Sequence, residues 1–152
     1  MLEYHELIVI SALVRNGRRL GAWISHIYVD SASSVAGGRE IWGLPKQGAE
    51  FTWDNSLGSA VVRRGERTLC TLRPARQRSL GRLPAFIPAF SQRGTELLWF
   101  KGTGTAQLGL ARGVFDVPSS SPFSTLGFNR GLGVHLNSLK LLVHAPRQVA
   151  RR

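Results

Sequence analysis

At 152 residues and 43% hydrophobic, the chain has the length and apolar content for one globular domain with its own core. Its single cysteine, Cys70, excludes an intrachain disulfide, and no apolar run approaches the ~20 residues that a membrane-crossing helix needs. A net charge of +11 requires that anionic partners be weighed.

In chain order, the apolar run Leu7–Val14 is rich in β-branched residues and has the length of one buried strand, with Glu6 at its entry. Leu20–Val29 alternates more loosely and is expected as a second strand. A short helix is predicted over Ser31–Ala36, with Asp30 as N-cap and Gly37 as its stop. Ala49–Trp53, Ala60–Arg64 and Thr68–Arg73 read as short strands, separated by turns at Asn55-Ser56-Leu57-Gly58 and Arg64-Gly65-Glu66-Arg67. Arg73-Pro74-Ala75-Arg76-Gln77-Arg78 reads as a basic loop. Glu96–Lys101 and Thr105–Leu110 are expected strands, with Lys101-Gly102-Thr103-Gly104 as the turn between them. After a serine-rich turn at Pro118–Pro122, Gly133–Leu136 and Leu139–His144 complete the pattern. The basic tail Pro146–Arg152 lacks apolar anchors and is expected to fray. Seventeen glycines and seven prolines spread along the chain fit many short elements joined by turns. The expected fold is therefore mainly β, an antiparallel barrel or sheet with few short helices, in a single domain over residues 1–152.

The chemistry is concentrated at Gly37-Gly38-Arg39-Glu40-Ile41-Trp42-Gly43-Leu44-Pro45-Lys46-Gln47. Lysine is scarce here: only Lys46, Lys101 and Lys140 occur, and arginine supplies the other basic residues. A lysine amine withdrawn from water can lose its proton and attack a carbonyl, whereas a guanidinium stays charged. Pro45 fixes φ ahead of Lys46, Gly43 permits close backbone approach, and Ile41, Trp42 and Leu44 can wall the amine from water. Taken alone, a Pro-Lys pair in a loop is most often a solvated surface lysine.

The stretch Gly38-Arg39-Glu40-Ile41-Trp42-Gly43-Leu44-Pro45-Lys46 resembles the signature G-R-E-I-x-G-[FYL]-P-K of the acetoacetate decarboxylase family. Tyr4-His5-Glu6 resembles that family's Tyr-x-Glu at the start of a strand, and Ile27-Tyr28-Val29-Asp30 its short strand ending in Asp. The resemblance is strongest to the shorter, cyanobacterial-type members and runs along most of the chain. It implies a β-barrel with few helices, assembly into homo-oligomers, and a Schiff base between Lys46 and a 3-oxo acid, with no cofactor and no metal. Glu6 is then the residue that faces the lysine, to transfer protons or to press electrostatically on the substrate carboxylate. Arg39, Tyr28, Trp42, Leu44 and Gln47 become candidates for lining the substrate site, Arg39 and Glu40 being expected also to hold the loop.

Two departures from the family pattern stand out. Members usually carry a longer segment ahead of Tyr-x-Glu, which adds an arginine and a second glutamate to the pocket, so the chain reads as an N-terminally shortened member. Well-studied members also have a second lysine after the first, where this chain has Gln47. Desolvation then has to make the amine available without a neighbouring cation.

Other readings rank lower. His5, His26, His135 and His144 do not fall at metal-ligand spacings, and there is no second cysteine to help. Lys101-Gly102-Thr103-Gly104 fits neither phosphate-binding fingerprint. The arginine clusters carry no recognisable nucleic-acid motif, which places a nucleic acid well behind a small-molecule 3-oxo acid as partner. With no basic leader and no spanning segment, the default location is the cytoplasm. The leading function is a Schiff-base decarboxylase that releases carbon dioxide and a ketone. An imine-forming aldolase or dehydratase of the same fold, and a non-catalytic small-molecule-binding or oligomerisation module, are the alternatives.

Overall fold

A computed structural model describes residues 3–54, 56, 58–127 and 130–151. Among them, nine strands and one α-helix follow one another as β1 (Glu6–Asn16), β2 (Arg19–Val29), α1 (Ala32–Trp42), β3 (Lys46–Gly48), β4 (Glu50–Asp54), β5 (Ser59–Arg64), β6 (Arg67–Arg93), β7 (Glu96–Asp116), β8 (Arg130–Val143) and β9 (Arg147–Arg151). The pairing is mixed, and the strand order β1-β2-β6-β5-β4 does not close on itself among the described residues. The mainly β expectation holds, in the sheet form.

Two compact units share these elements. The first comprises Met1–Gly48, Pro84–Gly104 and Leu141–Arg152, and the second Ala49–Leu83 and Thr105–Lys140. In the second, β4 and β5 pair antiparallel, with Phe51 opposite Val62, and β5 pairs with β6, with Val62 opposite Cys70. Ala60, Val62, Leu69 and Cys70 are buried there.

The first unit carries the motif residues. Gly17, at φ +59, takes the left-handed conformation that a two-residue hairpin loop requires, and Asn16 pairs with Arg19 across it. β1 and β2 then run antiparallel from Glu6 opposite Val29 onward, with irregularities around Ile10. β2 also receives β3 in parallel, Ile27 opposite Lys46, and touches β6 at Ala22–Ala89. With neighbours along its length, β2 buries Ile27, Tyr28 and Val29 almost completely. Ile24, Ile27, Val29, Leu44, Ala89 and Phe100 form a core cluster onto which Val35, Trp42 and Val143 pack.

α1 corrects the expected helix at both ends. Ser31, not Asp30, is the N-cap, its hydroxyl accepting from the Ser34 N–H at 3.3 Å. The Asp30 carboxylate is taken by His5 instead. Gly37 does not stop the helix, which continues to Trp42 and ends at Gly43, at φ 60. There the Gly43 N–H reaches Arg39 O at 3.1 Å and the Leu44 N–H reaches Gly38 O at 3.0 Å. A Cβ on Gly43 would come within 2.7 Å of Gln92 O, so both conformation and crowding call for glycine.

Three further expectations change. The stretch expected as a basic loop at 73–78 is extended backbone within β6, a conformation that suits the φ of Pro74. Lys101-Gly102-Thr103-Gly104 is not a turn but the interior of β7, where Gly102 lies against the Leu141 side chain. Arg147–Arg151 is not frayed: it pairs antiparallel with β7, Leu97 opposite Ala150, so backbone hydrogen bonds replace the apolar anchors the tail lacks. The turn expected at 55–58 is seen at Ser56 and Gly58; Asn55, Leu57 and the last tail residue Arg152 lie outside the described residues. The serine-rich turn is present, with the Ser121 N–H on Pro118 O at 2.9 Å.

Candidate active site

Lys46 opens β3, immediately after a tight bend in which its N–H reaches back to Leu44 O at 2.8 Å across Pro45. Parallel pairing with β2 sets it opposite Ile27, so its backbone is fixed by a strand buried in the core. The whole residue is only 7% exposed. An unpaired ammonium at such a place would be costly, and its partners are correspondingly close.

Glu6 Oε1 lies 2.7 Å from Lys46 Nζ. The Ser34 hydroxyl accepts from the same nitrogen at 2.9 Å. The Tyr4 ring stands 5.2 Å from Nζ, centroid to nitrogen. Arg39 reaches the same residue from its other end, Nε donating to Lys46 O at 2.6 Å. The lysine is therefore held at its head by a carboxylate and a hydroxyl, and at its backbone by a guanidinium.

Each contact has a local cause. Glu6 is the first residue of β1, opposite Val29, and its neighbour His5 anchors that strand end. The His5 N–H donates to Asp30 Oδ1 at 2.9 Å, and its ring Nδ1 lies 2.7 Å from Asp30 Oδ2. The hydrogen bond from the His5 ring is the main cause that holds the Asp30 carboxyl below its usual value, against a smaller opposing effect of burial. Ser34 sits in the first turn of α1, and Gly38 follows one turn later on the same face. A Cβ on Gly38 would meet Lys46 Cδ at 2.4 Å and Cε at 2.9 Å, so the missing side chain is the slot through which the lysine stem passes.

The other residues singled out in the sequence have contacts of their own. Arg39 is on the helix, not in a loop, and spends its Nε–H on the Lys46 carbonyl. Trp42 packs on the core cluster and donates its indole N–H to His144 O at 2.9 Å. Leu44 belongs to the core cluster itself. Tyr28 is buried, stacks on His26 at 6.4 Å between ring centroids, and faces Gln47 across the β2–β3 pairing. Burial pushes the His26 imidazole toward its neutral form. Among the described residues, no group of three or more His, Cys, Asp or Glu side chains could hold a metal ion, and no helix is long and apolar enough to cross a membrane.

Ser34 and Gly38 take part in the site without having been singled out for it. Ser31 is a residue type that caps helices, and Gly38 lies inside the signature stretch. Neither feature, read along the chain, shows contact with the Lys46 side chain.

A mainly β fold with mixed strand pairing, and a buried lysine in contact with a partly exposed glutamate, define the class of protein. The chain belongs to the acetoacetate decarboxylase family: the family model described as "Acetoacetate decarboxylase (ADC)" matches residues 1–99. Among solved structures, the acetoacetate decarboxylase of Legionella pneumophila is similar with a TM-score of 0.72 at 19% identity, covering 98% of this chain and 68% of that one. The enduracididine biosynthesis enzyme MppR, complexed with the condensation product of pyruvate and imidazole 4-carboxaldehyde, is similar with a TM-score of 0.59 at 14% identity, covering 95% of this chain and 65% of that enzyme. At these identities the likeness is one of fold. This chain thus spans about two thirds of the length of either enzyme. No curated protein sequence matches it.

Proposed function

We propose that this protein is a Schiff-base decarboxylase of a 3-oxo acid such as acetoacetate. The observation that carries the proposal is a buried lysine amine 2.7 Å from a carboxylate, inside the family's signature stretch. That distance lies in the range over which a side chain takes or gives a proton directly.

The chemistry follows from charge movement. Glu6 accepts a proton from the ammonium, and the free amine attacks the ketone carbon of the substrate. Loss of water leaves a protonated imine, a cation two bonds from the carbon that bears the carboxylate. When carbon dioxide leaves, the electron pair of the broken C–C bond flows into that cation and gives an enamine. Protonation on carbon and hydrolysis then release a ketone and restore the amine. Arg39 contributes by holding the lysine backbone, and the low exposure of Lys46 keeps water from the imine until the last step.

A second reading keeps the imine and changes its fate. The fold likeness to MppR, a structure that holds a condensation product, favours an imine-forming aldolase or dehydratase as the alternative. Borohydride reduction with acetoacetate, read by mass spectrometry beside Lys46→Ala, tests the shared step. A stable adduct on Lys46 that the variant lacks supports the imine, and carbon dioxide release then separates decarboxylation from condensation. A folded protein that gives no adduct overturns both readings.

A further inference from the structure

We propose that Ser34 is a positioning residue for Lys46: its hydroxyl holds one N–H of the amine while the Glu6 carboxylate takes the proton beside it, so that the lone pair is uncovered on the Glu6 side and kept from rotating away. The inference rests on the imine reading above and concerns how the amine is aimed.

A neutral amine has two N–H bonds and one lone pair. Among the described residues, Nζ has two oxygen acceptors within reach, Glu6 Oε1 at 2.7 Å and Ser34 Oγ at 2.9 Å. Proton transfer to Glu6 leaves the lone pair along the Nζ–Glu6 direction, the Ser34 hydrogen bond holds the amine in that rotation, and a carbonyl carbon must approach from the Glu6 side. A hydroxyl that accepts from Nζ turns its own hydrogen away, which leaves that lone pair free. Ser34 is itself buried, so no bulk water stands ready to replace it. Its backbone is fixed, with its N–H capped by the Ser31 hydroxyl at 3.3 Å and the next N–H, that of Val35, on Ser31 O at 3.1 Å. Four residues on, Gly38 admits the lysine stem. One face of α1 thus supplies both the slot for the stem and an acceptor for the head.

The proton count closes. Starting from ammonium and carboxylate, Glu6 takes one proton, and the lone pair forms the C–N bond as the C=O π pair moves to oxygen. Glu6 then returns protons to that oxygen as it collects them from nitrogen, and water departs. The iminium keeps one N–H, which the Ser34 oxygen accepts, holding the plane of the imine.

The test uses the full chain with ¹³C,¹⁵N-labelled lysine, which has three lysines to resolve. The Cε and Nζ signals of Lys46 are followed against pH in the native protein, Ser34→Ala and Ser34→Thr, with Lys101 and Lys140 as internal controls. Among the described residues, Glu6 and Tyr4 are the titratable side chains beside Nζ, and both are kept in these variants. In Ser34→Ala the Lys46 signals and their titration are expected to move while the control lysines stay. Borohydride trapping with acetoacetate should slow roughly 10- to 100-fold, the size of one hydrogen bond to a charged group, and Ser34→Thr should restore both. Lys46 signals that titrate identically in native protein and Ser34→Ala overturn the proposal. Ser34-dependent Lys46 signals in a protein that traps no imine support the positioning while overturning the enzyme reading.

Discussion

The stem of Lys46 passes through the place where Gly38 has no side chain. A Cβ there would lie 2.4 Å from Lys46 Cδ, closer than non-bonded carbons approach. Gly38→Ala is therefore expected to move the lysine more than it disturbs the helix. Alanine gains about 1 kcal/mol of helix propensity over glycine, which offsets part of the overpacking cost of about 1–3 kcal/mol. The melting temperature should fall only modestly, while borohydride trapping on Lys46 is lost. Full trapping in a folded Gly38→Ala protein would contradict this account of the slot.

Glu6→Gln removes the charge that faces Nζ and keeps the shape. Glu6 retains some contact with water, its side chain being 23% exposed against 8% for Lys46. The loss of stability should therefore be about 1–3 kcal/mol, below the range for breaking a fully buried pair. Imine formation should slow about 10²–10⁴-fold, the usual contribution of a positioned proton carrier. Denaturant melts and trapping rates on the same sample measure the two effects separately.

The His5–Asp30 contact ties the start of β1 to the end of β2 beside Glu6 and predicts a particular pH dependence. The Asp30 carboxyl titrates below its ordinary value, chiefly because the His5 ring donates to it. A carboxyl lowered on folding adds stability that is fully present above its unfolded value, ~3.9. That contribution is lost as the pH falls through the lowered value. Native protein and His5→Ala should thus differ in melting temperature at neutral pH and converge in acid. Curves that stay parallel down to acid would show that the contact does not contribute in this way.

Cys70, in the strand pairing of the second unit, is pushed up to about 11 by burial. The thiolate is the reactive form, so native Cys70 should react with a disulfide reagent at pH 8 at least ~100-fold more slowly than the denatured chain. A thiol raised on folding favours the native state fully below its ordinary value. That preference is lost as the pH rises toward about 11. Stability should accordingly decline in alkali, and Cys70→Ser should flatten that limb of the profile.

Local pattern in the sequence was enough for the strands Leu7–Val14 and Leu20–Val29, and the signature stretch, through its family resemblance, singled out Lys46. Each of those signals lies within a few residues: β-branched runs for the strands, and Pro45 with Gly43 around Lys46. The helix expected over Ser31–Ala36 ends too early because Gly37 reads as a stop along the chain. Only the fold shows that Gly38 is kept inside the helix for the lysine stem, and that Gly43, crowded by Gln92, makes the left-handed ending. The continuous β7 and the paired tail β9 were likewise hidden, since a strand poor in local signal can be held by its partner's backbone hydrogen bonds. The sequence alone singled out Lys46 as the candidate amine. The tertiary structure decided what surrounds it, because the distances from Nζ to Glu6 and Ser34 are set by how β1, α1 and β3 pack, and local propensity carries no record of packing.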